Sequence, residues 1–257
     1  MTSDSFSDGG RFASTEHALE HALNLVKHGA EIVDIGGEST RPGATPVTAQ
    51  QEMDRVLPVV EHLRAQSEVL ISVDTTKSGV AAEAVKSGAD IINDVSGGQF
   101  DTGMIDVVKG TGAGYVCGHV LSDTLEAIHE SQERCIGYKR IVETFSERIV
   151  ALKQKLGKKI IADPCVGFGK SQETNQRLIR SGSDIAERTG VPVMIGVSRK
   201  RVLGDLAGLP LGERDHATVG ASLAAVVFGA SLLRVHNVKI MKEALSAFWP
   251  LFQSEGN

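Results

Sequence analysis

The stretch VLISVDTTKSGVAAEAVKSGADIINDVSG, residues 69–97, contains a complete strand–helix–strand unit. Its two ends, VLISVD at 69–74 and DIINDVSG at 90–97, are short apolar runs typical of buried strands, and the second continues into a loop. Between them, KSGVAAEAVKSGA at 77–89 has apolar residues at helical spacing. A helical crossover of this length joins parallel strands, so the stretch predicts one βαβ unit of a parallel sheet.

The same alternation continues in both directions along the chain. Further strands are predicted at 31–37, 113–120, 158–164, 192–198 and 231–236, and further helices at 15–30, 47–66, 102–112, 137–157, 172–190, 213–230 and 237–252. Repeated βα units in a chain of 257 residues favour a (β/α)8 TIM barrel, with an open doubly wound sheet as the alternative. A series of seven strands predicts that the first barrel strand precedes Met1, and no linker divides the single domain at 1–257.

Composition limits the classes of function. The formal net charge is -5 and no basic block is present, so binding to nucleic acid or to an anionic membrane has no electrostatic support. Cys117, Cys135 and Cys165 lack CxxC spacing, which favours a reducing, cytoplasmic compartment over a disulfide framework. Cys165 is interpreted as a quiet buried thiol. There is no apolar run near 18 residues and no signal-peptide pattern, which predicts a protein outside the membrane.

Polar side chains follow every predicted strand, where the loops of a barrel build its active site. Asp74, Asn93 and Asp163 supply buried acceptors and one amide donor, a set that suits a flat heterocycle rich in N–H groups. For any single Asp or Ser after a strand, a helix cap is an equally good interpretation. The convergence of seven polar strand ends is what favours a functional site.

A second group of side chains is cationic. Arg41, Arg234 and His236 are candidate donors to an anion such as a phosphate, and Lys200 is placed to bridge the two groups. A structural ion pair with a neighbouring acid is the alternative for both arginines. No cluster of metal ligands is evident, so a bound Mg²⁺ would be held mainly through substrate phosphates and one or two polar side chains.

Seven stretches of the chain, in this order, resemble the dihydropteroate synthase family: TSDSFSDGG, DIGGESTRPGA, SVDTTK, INDVSGG, DPCVGFGK, GVSRK and RVHNV. The resemblance implies a (β/α)8 barrel that forms a homodimer. It also implies condensation of 6-hydroxymethyl-7,8-dihydropterin diphosphate with 4-aminobenzoate, giving 7,8-dihydropteroate and diphosphate for folate synthesis, with Mg²⁺ accompanying the diphosphate. A pterin-dependent methyltransferase domain and a non-catalytic pterin-binding homologue remain as alternatives.

The resemblance also implies roles for individual residues. The pterin set is Asp74, Asn93, Asp163 and Lys200, and the diphosphate set is Arg41, Arg234 and His236. The diphosphate set together with Lys200 gives the candidate catalytic residues. The aminobenzoate set is Thr40, Pro42 and Phe168, and the mobile first loop contains Phe6, Ser7 and Asp8. An Asn that helps to bind metal in the family would precede Met1, so no metal ligand is identified within the chain.

Several positions depart from the family pattern. Gly118 replaces a Met, which predicts the loss of an apolar wall of the pterin pocket, and LSDTLEAIHESQ follows in place of a Gly-x-Pro pattern. Arg201 replaces a Ser and is interpreted either as a partner of the aminobenzoate carboxylate or as a solvated helix residue. Asn237 replaces an acid beside His236, which predicts weaker orientation or protonation of the imidazole.

Overall fold

The structure is a computed structural model that describes residues 11–41, 43–129 and 136–252, without the side chains of 11–14. The first-loop residues Phe6, Ser7 and Asp8, and Pro42 of the predicted aminobenzoate set, lie outside the described residues.

The described residues form seven strands, all paired in parallel. They are β1 (Ile32–Gly36), β2 (Leu70–Asp74), β3 (Ile91–Asp94), β4 (Gly114–Gly118), β5 (Ile160–Asp163), β6 (Met194–Ile195) and β7 (Leu232–Leu233). β1 to β5 are hydrogen-bonded in chain order, β6 pairs with β7, and a bridge between Ala162 and Val193 links the two groups. A strand order that follows the chain is that of a (β/α)8 TIM barrel, because a doubly wound sheet reverses its order at a switch point.

Helices alternate with these strands. They are α1 (Arg11–Lys27), α2 (Ala49–Gln66), α3 (Ser78–Lys86), α4 (Met104–Thr111), α5 (Tyr138–Leu156), α6 (Gln172–Ile179), α7 (Gly182–Thr189), α8 (Arg201–Ala207), α9 (Asp215–Val227) and α10 (Val238–Phe252). Short 3₁₀ helices occupy Glu126–Ile128 and Leu211–Glu213. None of the helices in the described ranges is long and apolar enough to cross a bilayer.

The prediction of one helix at 172–190 was wrong, because the chain forms α6 and α7 with a turn between them. The fully buried Ser181 makes this turn, donating from its hydroxyl to the carbonyl of Leu178 at 2.7 Å. A Cβ on Gly182 would lie 2.5 Å from the backbone of Ala230, so glycine allows the turn to pack against the chain entering β7. The helix α8 was not predicted.

The main core lies between the strands and the surrounding helices. Because successive side chains of a strand point to opposite faces, one set on each strand packs outward against the helices. These residues include Val33, Ile71, Ile92, Tyr115 and Ala162, which join a single cluster with buried side chains of α2 and α5. The opposite set faces the barrel interior and builds the site.

Candidate active site

Two layers of side chains fill the interior of the barrel. The lower layer is an apolar cluster from six strands, consisting of Ile32, Ile91, Val116, Ile161, Met194 and Leu232. Residues two positions further along a strand point to the same side, and there the chain places Asp34, Asn93, Asp163 and Arg234. The site therefore has an apolar floor beneath a polar layer at the carboxyl ends of the strands, the end at which TIM barrels carry their active sites.

The polar layer contains an arginine shared by two carboxylates. Arg234 donates from Nε to Asp34 Oδ2 at 2.7 Å, and its Nη2 lies 3.3 Å from Asp74 Oδ2. The amide of Asn93 donates to the same Asp34 oxygen at 3.1 Å. Arg234 joins β7 to β1 and β2, so this residue of the predicted diphosphate set lies within the predicted pterin set. Arg234 makes the ion pairs that were the alternative to a role in binding an anion, and these ion pairs lie within the candidate site.

The shared arginine separates the acidities of the two carboxyl groups. Burial and the charge of Asp34 raise the pKa of Asp74 to about 7, with Arg234 opposing the rise. Burial also acts to raise the pKa of Asp34, but the charge of Arg234 and hydrogen bonds from Ser72 and Arg234 outweigh it and hold this pKa below its usual value. Asp34 is therefore the ionised partner, and Asp74 exchanges its proton near neutral pH and can donate or accept.

Asp163 and Lys200 form the next part of the layer. Burial raises the pKa of Asp163 despite the nearby charge of Lys200, and burial lowers the pKa of Lys200. Lys200 Nζ donates to the carbonyl of Val166 at 2.6 Å and lies 4.6 Å from the centroid of the Phe168 ring. The structure thus places Lys200 near Asp163 and Phe168, and the predicted bridge from the pterin set to the diphosphate set stays a prediction.

The cationic residues converge around His236. Its Nδ1 lies 2.8 Å from Ser198 Oγ, and the same oxygen accepts from the His236 backbone N–H at 3.1 Å. Burial lowers the pKa of His236 to about 4, and the charges of Arg234, Arg199 and Arg41 add to this effect. A neutral imidazole in a field of arginines is suited to receive an anion without adding a charge of its own.

The predicted aminobenzoate residues are brought together only in part. The carbonyl of Thr40 lies 2.8 Å from His129 Nε2, and the ring of His129 stacks on Phe168 at 5.9 Å between centroids. Arg201 is the first residue of α8, where its side chain is 80% exposed and pairs with Asp205 at 3.4 Å. The solvated-helix interpretation describes this arrangement, and its role toward a carboxylate stays a prediction.

Two departures from the family pattern have structural explanations that differ from those predicted. A Cβ at Gly118 would lie 2.5 Å from Val95 Cα, so the backbone of Val95 fills the space and no wall is missing. Asn237 donates to Asp215 Oδ2 at 3.0 Å and caps α10 by accepting from Ile240, rather than contacting the imidazole of His236. Cys165 is buried and free, and burial raises its pKa, as predicted for a quiet thiol.

Several residues of the site were missed. Asp34 lies at the centre of IVDIG, and its pairing with Arg234 spans 200 residues and has no local signal. The buried Lys170 donates to the carbonyls of His119, Cys165 and Phe168 at 2.9, 3.0 and 3.2 Å, which fixes the loop after β5. Because Lys170 donates to backbone carbonyls, no acidic partner in the sequence indicates this role.

Comparison with known proteins identifies the family. The pterin binding enzyme family matches residues 1–236. The chain is 38% identical over 257 residues to dihydropteroate synthase of Mycobacterium leprae, covering 95% of this chain and 88% of that protein. It is 39% identical over 254 residues to the mitochondrial folate synthesis bifunctional protein of Arabidopsis thaliana, covering 93% of this chain and 46% of that protein. The chain therefore spans about half the length of such plant relatives and most of the length of the bacterial ones.

Solved structures agree with the sequence comparison. Dihydropteroate synthase of Xanthomonas albilineans with 4-aminobenzoic acid superposes with a TM-score of 0.88 at 39% identity, covering 98% of this chain and 90% of that one. The same enzyme in complex with 7,8-dihydropteroate gives a TM-score of 0.84 at 35% identity, covering 97% and 90%. The chain belongs to the pterin binding enzyme family, among its dihydropteroate synthases.

Proposed function

We propose that the chain condenses 6-hydroxymethyl-7,8-dihydropterin diphosphate with 4-aminobenzoate, forming 7,8-dihydropteroate and diphosphate in folate synthesis. The observation that carries the proposal is the polar layer of Asp34, Asp74, Asn93 and Arg234 over an apolar floor, with Lys200 and His236 beside it. Related structures that bind 4-aminobenzoic acid and 7,8-dihydropteroate support the choice of substrates.

The pterin ring would lie on the apolar floor with its polar edge toward the acidic residues. Asp74 and Asp163, whose pKa values are both raised, can accept from ring N–H groups or donate to ring nitrogens. Asn93 offers a carbonyl oxygen as well as the amide that binds Asp34. Pairing every buried polar edge in this way selects a heterocycle with the matching pattern of donors and acceptors.

The reaction breaks the C–O bond to the diphosphate and forms a C–N bond to the arylamine, which then loses a proton. Because the diphosphate leaves with its electron pair, the protein has to stabilise a departing anion and hold the amine in line. Arg41 and Arg234 supply the positive field for the anion, and His236, whose lowered pKa keeps its imidazole neutral, offers a hydrogen-bond donor without a charge. Lys200 lies over the ring of Phe168 and is close enough to Arg234 for that charge to lower its pKa, an effect smaller than that of burial.

We include Mg²⁺ in the proposal as the companion of the diphosphate. The described part of the chain has no group of three His, Cys, Asp or Glu residues that could hold a metal by itself. Mg²⁺ with phosphorylated substrates is usually coordinated mainly by phosphate oxygens and water, so it needs only one or two protein ligands. The ion would supply further neutralisation of the leaving group, in addition to the charges of Arg41 and Arg234.

We also propose a cytoplasmic homodimer. Trp249, Leu251 and Phe252 of α10 are exposed, together with Val227 and Phe228 at the end of α9, and an apolar surface of this kind favours association. The two described cysteines, Cys117 and Cys165, are free thiols, which suits a reducing compartment.

Product analysis tests the reaction. The purified chain is incubated with dihydropterin diphosphate, 4-aminobenzoate and Mg²⁺, and dihydropteroate and diphosphate are quantified by mass spectrometry and an enzymatic assay. We expect equimolar products that require all three additions. Pterin binding without product would favour the non-catalytic homologue, and methyl transfer from methyltetrahydrofolate to a corrinoid would favour the methyltransferase.

A further inference from the structure

The segment that departs from the family pattern after β4 is anchored in the barrel. Its 3₁₀ helix ends at Ile128, which is 1% exposed and packs in a cluster with Val95, Val120, Cys165 and Phe168. Within the segment, Ser122 Oγ donates to the carbonyl of Thr124 at 3.0 Å. Residues 121–128 are therefore fixed above the ends of β3, β4 and β5, and the residue that follows Ile128 has a defined position.

That residue, His129, joins two loops that are distant in sequence. Its Nε2 is 2.8 Å from the carbonyl oxygen of Thr40, and since a carbonyl only accepts, Nε2 carries the proton of this hydrogen bond. Its ring stacks on Phe168 with an interplanar angle of 26°. His129 thus connects the loop after β1 to the loop after β5.

The Phe168 side of this contact is itself held firmly. Lys170 Nζ donates to the Phe168 carbonyl at 3.2 Å, and Lys200 Nζ lies 4.6 Å from the centre of its ring. On the other side, the Thr40 carbonyl accepts the hydrogen bond from His129, and the next residue, Arg41, is exposed. His129 is the side chain by which the fixed ring at 168 sets the position of the Thr40 backbone.

We propose that His129 is a positioning residue that sets the width of the arylamine subsite between Thr40 and Phe168, and so determines which arylamine acceptors fit. The inference rests on the proposed function, which makes Thr40 and Phe168 the walls of that subsite. The contact uses a backbone carbonyl, so it depends on the residue at 129 and not on the side chain at 40.

Steady-state kinetics of His129→Ala test the role. We expect the KM for 4-aminobenzoate to rise about tenfold, the size of effect that the loss of one hydrogen bond and one ring contact produces. The KM for dihydropterin diphosphate stays within about twofold, because the pterin set does not contact His129. The ratio of kcat/KM for 4-amino-2-methylbenzoate to that for 4-aminobenzoate increases, because the subsite is no longer held to one width.

Two conservative variants separate the two contacts. His129→Asn keeps a hydrogen-bond donor and His129→Phe keeps the ring, so each is expected to recover part of the affinity for the arylamine. His62→Ala is the matched control, since its exposed ring also bonds a backbone carbonyl, that of Pro58 at 2.5 Å, on α2. We expect the control to leave both KM values unchanged.

The possible outcomes are distinct. An active wild-type chain whose arylamine KM is unchanged in all three His129 variants overturns the inference alone. A parallel rise in both KM values, or a loss of kcat only, indicates general damage to the fold and also overturns it. A wild-type chain that makes no dihydropteroate overturns the proposed function. The role of His129 in the choice of arylamine acceptor is then overturned as well, because it rests on that function.

Discussion

Two partly buried clusters in this molecule share one composition, two carboxylates around one cation, and differ in their surroundings. In the polar layer, Arg234 lies between Asp34 and Asp74. Beneath the loop after β1, Lys77 Nζ lies 2.6 Å from Glu38 Oε2 and 2.7 Å from Glu52 Oε2. The first cluster opens into the barrel mouth, and the second is closed by α2.

Position within the fold accounts for the difference. Asp34 lies within β1, Asp74 ends β2 and Arg234 follows β7, so the barrel fixes all three and leaves one side for a ligand. Glu52 is completely buried on α2, and Glu38 also accepts from the backbone N–H of Val47 at 2.9 Å. The second cluster closes the base of the loop that carries Thr40 and Arg41. The same combination of charges faces the open end of the barrel in the first cluster and attaches the base of a loop in the second.

The largest effect is expected from Arg234→Met. Asp34 and Asp74 would then face each other without a cation, and the field for the diphosphate would lose one of its charges. We expect kcat/KM for dihydropteroate formation to fall by about 10²–10³-fold, the usual loss for one electrostatic group of an active site. Arg188→Met removes an exposed partner of Asp184 and serves as control. A fall smaller than threefold would refute the role of Arg234.

The second cluster is tested by stability. Lys77→Met leaves Glu52 buried without its cation, and breaking such a pair lowers the free energy of unfolding by about 3–5 kcal/mol. Denaturant titration measures the change. Lys86→Met removes an exposed partner of Glu83 and is expected to change stability by less than about 0.5 kcal/mol. Equal effects of the two variants would mean that Lys77 does not anchor the loop.

The pH dependence of stability separates the clusters further. The pKa of Asp74 is raised to about 7, so the unfolded carboxyl loses its proton at a lower pH than the folded one. Because ionised Asp74 is disfavoured in the folded chain, the free energy of unfolding declines as the pH rises from about 4 to about 7. We expect the unfolding free energy of wild type relative to Asp74→Asn to fall by about 1–3 kcal/mol across this window.

Denaturation at several pH values provides the measurement. Asp106→Asn, on the exposed face of α4, is the control and should run parallel to wild type. A relative stability that rises with pH would show that the folded pKa of Asp74 is lowered instead.

A smaller effect is expected at the rim. Asn237 donates to Asp215, which also receives Arg199 at 2.7 Å, and these hydrogen bonds lower the pKa of Asp215 to about 2. Asn237→Asp would set two carboxylates against each other, raise the pKa of Asp215 as followed by NMR titration, and reduce stability by about 1 kcal/mol. Adding Asp215→Asn restores a carboxylate–amide pair and should recover part of the loss. No shift at Asp215 would contradict the assigned contact.

The barrel and much of the site could be predicted because their signals are local. A strand such as LISVD carries its own apolar alternation and ends on the polar Asp74, and a parallel barrel brings all such ends together. Asn93, Asp163 and Arg234 followed from the same pattern. The alternation also places the floor residues and the polar layer on the same face of each strand, one period apart.

The contacts that the sequence analysis missed are those between distant loops. The hydrogen bond between His129 and Thr40 joins residues 89 positions apart, and no periodicity marks it. The break between α6 and α7 depends on the close approach of Gly182 to Ala230, which only the packed structure reveals. Gly118 was misjudged for the same reason, because its neighbour across the sheet was unknown.

The contact between Gly118 and Val95 also restricts how this chain can evolve. Any side chain at 118 meets the backbone of Val95, and a Cβ at Gly97 would in turn lie 2.6 Å from the Gly118 carbonyl. Replacement of Gly118 by the Met of the family pattern therefore requires the chain after β3 to take another course. A larger residue at 118 therefore requires concerted changes in two loops, those after β3 and β4.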